Sequence, residues 1–220
     1  GTKGSHLLRR RLYRRYLWSN SIDGGAGVLS DNGNYNNENA MKITIVRHTS
    51  VKCTADVCYG LSDVEVADSF ETEAQQVKEM LINRTFEHVY SSPLTRCRKL
   101  AAYCGYDNPQ TDARLLELNF GDWEGTRWDE ITDPHLQRWY ADWINECPTN
   151  GESFAAQVAR VKLFLEQLKA EKKDNVLVFS HAGVIRAVAV LLNLVAIEKC
   201  FTDFPVAYGQ IFEFAGNTLK

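Results

Sequence analysis

The chain has six cysteines (Cys53, Cys58, Cys97, Cys104, Cys147 and Cys200) but no Cys-x-x-Cys, and no Cys/His group at zinc-ligand spacing. That argues against a zinc module. A chain of 220 residues needs no disulfide staples, so the cysteines read as reduced thiols, mostly packing residues, of a cytoplasmic protein. No apolar run approaches the roughly 18 residues that cross a bilayer. No short apolar core of a secretory leader is visible either, so no membrane partner and no export are expected. Internal repeats are absent. The net charge of −3 lacks the basic excess of a nucleic-acid footprint over the whole chain, so no nucleic-acid partner is expected.

What is present is ordinary for one α/β domain: 45% hydrophobic residues and 24% charged. The charge is uneven. Residues 1–40 hold six of the 25 basic and three of the 28 acidic side chains, leaving 19 against 25 in the remainder. Within that extension "LLRRRLYRRYLW" (7–18) reads as a short basic helix whose apolar arc Arg9 interrupts. Residues 19–40, rich in Gly, Asn and Ser, read as linker. Three origins stay open for 1–40: a vector-derived or mis-assigned start, a basic arm for an acidic partner or membrane surface, or a nucleic-acid arm. The working domain is expected over 41–220, from Met41.

From Met41 strands and helices alternate. Strands are predicted over 42–47, 87–92, 175–180 and 209–214. Helices are predicted over 71–83, from Pro93 to about Ala102 with Ser92 as N-cap, over 153–172 with Ser153 as cap, and over 182–193. "NVLVFS" (175–180) is a continuous apolar run of the kind buried on both faces. The alternation calls for an α/β fold: a three-layer αβα sandwich whose mostly parallel central sheet carries helices on both faces.

Three of these strands end in polar groups: Arg47-His48-Thr49, Ser91-Ser92-Pro93 with Arg96 one turn later, and Ser180-His181-Ala182-Gly183 where a helix begins. In open α/β sheets ligands sit outside the carboxyl ends of strands. If the three strands are neighbours, two guanidiniums, two imidazoles and the amides at the start of a helix, Ala182 included, converge there. Guanidinium forks and helix-start N–H groups match phosphate oxygens. The same arginines repel cations, so no metal is expected.

The segments "VRHTSV", "YSSPLTRCRKLA", "LLELNFGDWEG" and "VFSHAGVIRAV" resemble, in order, the signature segments of the histidine phosphatase superfamily, the phosphoglycerate-mutase-like phosphatases, over about 41–215. The resemblance implies His48 as the nucleophile that takes a phosphoryl group. It implies Arg47, Arg96 and His181 as the phosphate clamp and Glu117 as proton donor and then base. Neutral imidazole must attack, so His48 needs a partner such as a backbone carbonyl to fix its tautomer. An alkoxide is a poor leaving group, so a carboxylic acid beside Phe120 and Trp123 is worth about 10²–10⁴-fold. No cofactor is implied.

The chain departs from the family's Arg-His-Gly-Glu-Thr-x-x-Asn at Thr49, Ser50, Val51 and Thr54. Thr49 still offers its N–H and adds a hydroxyl, and Thr54 stands where the Asn would touch phosphate. Glu124 is the nearest rival of Glu117, and "GES" (151–153) reads either as turn and cap or as a substrate contact through Glu152. Residues 47–77, with "CYGLSDV", resemble alpha-ribazole-5'-phosphate phosphatases of the cobalamin pathway. Tyr59 and Gly60 would then line the leaving-group side, and Trp128 or Trp139 would stack on a flat base. The expected partner is a small phosphorylated metabolite, with a homodimer left open. The alternatives are a broad phosphatase of sugar phosphates or small metabolites, a phosphoglycerate mutase, and a non-catalytic phosphate-binding module.

Overall fold

The computed structural model describes residues 28–30 and 41–216. The basic stretch 7–18 and most of the predicted linker lie outside the described residues. Within 19–40, Val28–Ser30 forms a short strand, β1, at the edge of the sheet.

Six strands lie in the order β1, β6 (Ile211–Gly216), β2 (Met41–Arg47), β5 (Val176–Ser180), β3 (His88–Ser91), β4 (Gln110–Thr111). Only the β2–β6 pairing is antiparallel. Every residue of β5 is buried, as a strand covered on both faces requires. Its side chains alternate between two cores. Val176 and Val178 join α4 (Phe154–Ala170) and α5 (Ala182–Leu191) through Phe164, Leu165, Val184 and Val188. Leu177 and Phe179 join α1 (Phe70–Leu81) and α2 (Thr95–Tyr103) through Ala74, Val77 and Leu100. This is the three-layer αβα sandwich expected from the alternation.

Two local readings were resolved differently. Ser153 does cap α4, its Oγ accepting from the Ala156 N–H at 3.1 Å. Ser92 does not cap α2: that helix begins at Thr95 behind an extended Leu94. Its cap comes from a distant loop, where Asp63 accepts from the Thr95 N–H at 2.9 Å and from the Thr95 hydroxyl at 2.5 Å. A first-turn cap of this kind satisfies otherwise orphaned donors wherever the carboxylate comes from.

Residues 113–141 contain three 3₁₀ turns, Ala113–Leu115, Gly121–Trp123 and Trp128–Glu130, and a short helix α3, His135–Ala141. They build a third, aromatic core from Phe120, Trp123, Trp128, Trp139, Leu118 and Leu136 with Cys58. Asp133 ties it together, accepting from the Trp123 indole N–H at 2.9 Å and from the Thr149 hydroxyl. A last short helix, α6, spans Cys200–Asp203.

Candidate active site

Because β2, β5 and β3 are neighbours, their carboxyl ends meet. The His48 N–H donates to Ser180 O at 3.1 Å and the Ser92 N–H to Phe179 O at 2.9 Å, stitching the three exits together. The His48 and His181 rings lie edge to face with centroids 5.1 Å apart.

His48 is 2% exposed. Its Nδ1 is 2.8 Å from Thr49 O, so Nδ1 carries the hydrogen and donates it there. Nε2 keeps its lone pair and accepts from Arg96 Nε at 3.3 Å. The tautomer is therefore fixed by a backbone carbonyl, with the lone pair on the nitrogen that Arg96 faces. Burial holds the imidazole well below its ordinary value, the Arg96 and Arg47 charges push it further down, and the Thr49 bond opposes them. His181 is likewise lowered by burial, then by Arg96. Both rings are neutral at neutral pH.

Arg96 is fully buried, its Nη1 donating to Ser62 O at 2.8 Å and Nη2 to Gly60 O at 2.7 Å. Gly60 has no room for a side chain, since a Cβ would stand 1.8 Å from Leu118 O. The loop that holds Arg96 is itself held by Glu124, which accepts from the Leu61 N–H at 2.9 Å, the Ser62 N–H at 2.6 Å and the Ser62 hydroxyl. Arg47 lies with its guanidinium carbon 3.8 Å from the Tyr208 ring centre and donates to Val206 O at 2.6 Å. The Tyr208 and Tyr59 hydroxyls are 2.9 Å apart. Ser92 Oγ is 2.8 Å from His181 Nε2, which explains why it is not spent on α2. Cys97 packs on His181, and burial pushes its thiol up to about 12, leaving it protonated.

A cleft of about 540 Å³, open to solvent, is lined by Arg47, His48, Tyr59, Glu117, Ala182 and Gly183 on the polar side. Leu118, Phe120, Trp128 and Phe201 form its apolar wall, with Gln157 and Arg186 between. Glu117 accepts from the Leu118 N–H at 2.9 Å, from Gln157 Nε2 at 3.1 Å and from the Gly183 N–H at 3.2 Å. Arg160 fixes its backbone, donating to Glu117 O at 3.1 Å while pairing with Glu152 at 2.6 Å.

The structure thus brings Arg47, His48, Tyr59, Glu117 and Ala182 to one cleft, and sets Arg96 and His181 against His48. Two sequence readings are corrected, those of Thr54 and Gly60. Thr54 is exposed and absent from the cleft wall, its carbonyl closing a turn with the Val57 N–H at 3.0 Å. Gly60 serves Arg96 and Leu118 rather than the leaving-group side. Thr49 contributes its carbonyl to His48 while its hydroxyl is buried without a hydrogen bond. Trp139 stacks behind Trp128, which alone of the two meets the cleft. The Glu152 and Glu124 carboxylates brace loops. Sequence reasoning missed Tyr208, Gln157, Arg186 and Phe201. Arg186 in the apolar "AGVIRAV" and Gln157 among the buried positions of α4 carried a signal: a polar residue on a core face.

A buried arginine, Arg96, and a half-buried one, Arg47, flank an imidazole whose Nε2 lone pair faces Arg96, with a carboxyl on the same cleft. That is the arrangement of a phosphoryl-transfer enzyme with a histidine nucleophile. Residues 43–214 match the histidine phosphatase superfamily (branch 1), and the chain belongs to that family. It is 32% identical over 165 residues to the adenosylcobalamin/alpha-ribazole phosphatase of Salmonella typhimurium strain LT2, covering 71% of this chain and 82% of that one. Among solved structures, a candidate alpha-ribazole-5'-P phosphatase from Escherichia coli K-12 is 28% identical with a TM-score of 0.70, covering 82% of this chain and 96% of that one. A mycobacterial glucosyl-3-phosphoglycerate phosphatase, 22% identical with a TM-score of 0.71 over 81% of this chain and 91% of its own, shares the fold.

Proposed function

We propose that this phosphatase hydrolyses a phosphomonoester through a phosphohistidine on His48, and that its substrate is alpha-ribazole-5'-phosphate. The observation that carries the chemistry is the fixed tautomer of His48, with Nδ1–H tied to Thr49 O and the Nε2 lone pair held beside Arg96. In the first step Nε2 forms a bond to phosphorus as the ester P–O bond breaks. The Glu117 carboxyl gives its proton to the departing oxygen. In the second step a water oxygen bonds to phosphorus, the P–N bond breaks, and the water's proton returns to Glu117. Arg47, Arg96 and the N–H groups at the start of α5 carry the negative charge of the equatorial oxygens throughout.

The substrate choice is supported by the relatives named above and by the apolar lining of the cleft that holds Glu117. Phe120, Trp128 and Phe201 give the cleft an aromatic lining of the kind a flat base packs against. The partner is then a small phosphorylated metabolite, and six unpaired thiols suit a cytoplasmic location. The test is kcat/KM for alpha-ribazole-5'-phosphate against a panel of sugar and small-metabolite phosphates. A preference of about a hundredfold or more, about 2.7 kcal/mol in transition-state binding, supports the assignment. A flat profile would assign the protein to a broad phosphomonoesterase.

A further inference from the structure

Gln157 sits on the first turn of α4, on the face that buries Phe154, Val161, Phe164 and Leu165, and none of its surface is exposed. A buried amide is expected to have every polar atom paired. Its Nε2 donates to Glu117 Oε1 at 3.1 Å and reaches Leu116 O at 3.5 Å. Its Oε1 has no hydrogen-bond partner. The amide nevertheless touches the reacting region. A Cβ on Gly183 would stand 2.2 Å from Glu117 Oε1 and 2.8 Å from both polar atoms of Gln157. Carboxyl, amide and helix start are therefore in direct contact, and both side chains line the cleft.

Three groups meet the Glu117 carboxyl, and all three donate: the Leu118 N–H, the Gly183 N–H and the Gln157 amide. Together they suit an ionised carboxylate. The two backbone N–H groups can only donate. Once Glu117 carries the proton it must deliver, that O–H needs an acceptor until a leaving oxygen arrives. Among the three, the terminal amide alone has an acceptor as well as a donor, and half a turn about its last bond exchanges one for the other.

We propose that Gln157 is a positioning residue that follows Glu117 through both protonation states. Its NH₂ holds the carboxylate that takes a proton from water, and its carbonyl receives and aims the O–H that protonates the leaving group. The orphaned Oε1 is the half of the device that is idle while Glu117 is ionised. This rests on the reading of Glu117 as proton carrier, and the two are separable by leaving group.

The experiment measures kcat/KM, which reports steps through departure of the first leaving group, for p-nitrophenyl phosphate and for an alkyl phosphate. The first leaves without a proton and the second needs one. Gln157→Met, similar in length and without a hydrogen-bonding amide, is expected to lose at least about tenfold on the alkyl ester and less than about threefold on p-nitrophenyl phosphate. A purely structural role would lower both alike. Glu117→Gln is run beside it. If that variant shows no dependence on leaving group, the reading of Glu117 falls. If it shows the dependence and Gln157→Met does not, the proposal for Gln157 falls alone. Gln157→Leu serves as a second apolar variant, and failure of both to give a cooperative melt would assign Gln157 to the core instead.

Discussion

His48 is kept neutral by its surroundings: burial first, then two guanidiniums. His181 is lowered in the same way. The sign of the pH effect follows. An unfolded imidazole takes a proton as the pH falls through about 6.5 and the folded ones do not, so folding stability is fully present above that value. Below it stability is lost, each ring contributing up to about 1.4 kcal/mol per pH unit until its folded value is reached. His48→Asn should therefore lose less stability than wild type between about pH 6.5 and 5, as thermal melts across that range would show. Equal slopes would mean that His48 is charged in the fold. On the same reasoning, turnover should not lose its nucleophile near pH 6.5. Replacing Glu117 by Gln should cost about 10²–10⁴-fold on alkyl phosphates. It should also leave phosphohistidine to accumulate on p-nitrophenyl phosphate, because the second step loses its base; a quenched-flow assay with labelled phosphate reads both.

The loop between β2 and α1 is held by contacts far apart in sequence. Asp63 caps α2, Glu124 holds Leu61 and Ser62, and the Gly60 and Ser62 carbonyls hold Arg96. Asp63→Ala should cost about 1 kcal/mol as a lost cap, roughly 2–4 °C in Tm. Gly60→Ala should cost more, and should lower kcat along with stability because Leu118 and Arg96 must both shift. Equal activity per folded molecule in Gly60→Ala would show that Arg96 does not depend on this loop. These elements also show what the sequence discloses. Periodicity places α1 and α4, each with one face in a core, while continuous apolar runs place α5 and β5, which are buried on all sides. The three strand exits disclose Arg47, His48, Arg96 and His181, since polar groups at the end of apolar runs need a reason. Ser92 misleads because a good capping residue was needed by His181 instead. Residues 104–150 resist reading, since their 3₁₀ turns and aromatic core rest on contacts with Cys58, Asp133 and Thr149 rather than on any local period. That Tyr208 packs on Arg47 and that Gln157 lines the cleft follows only once the sheet order is known.

The sandwich as a whole supplies rigidity. Leu165 and Phe164 on α4 lie against β5 and α5 in the larger core, and α4 also carries Gln157 and Arg160, which hold Glu117. Leu165→Ala should destabilise by about 2–5 kcal/mol through the cavity it leaves, and a denaturant titration would register a lower midpoint. Among the described residues no helix is long and apolar enough to cross a membrane. Nor do three metal-ligating side chains gather there. With His48 as nucleophile and Glu117 as acid, as proposed, turnover is expected to survive a chelator; loss of activity with EDTA would count against that proposal. The most direct test is to quench the enzyme during turnover of ³²P-labelled substrate and locate the label. Acid-labile, alkali-stable phosphate is expected on His48, up to one per chain, and is expected to disappear together with activity in His48→Ala. Label on another residue, or a His48→Ala variant that still turns over, would contradict the proposal.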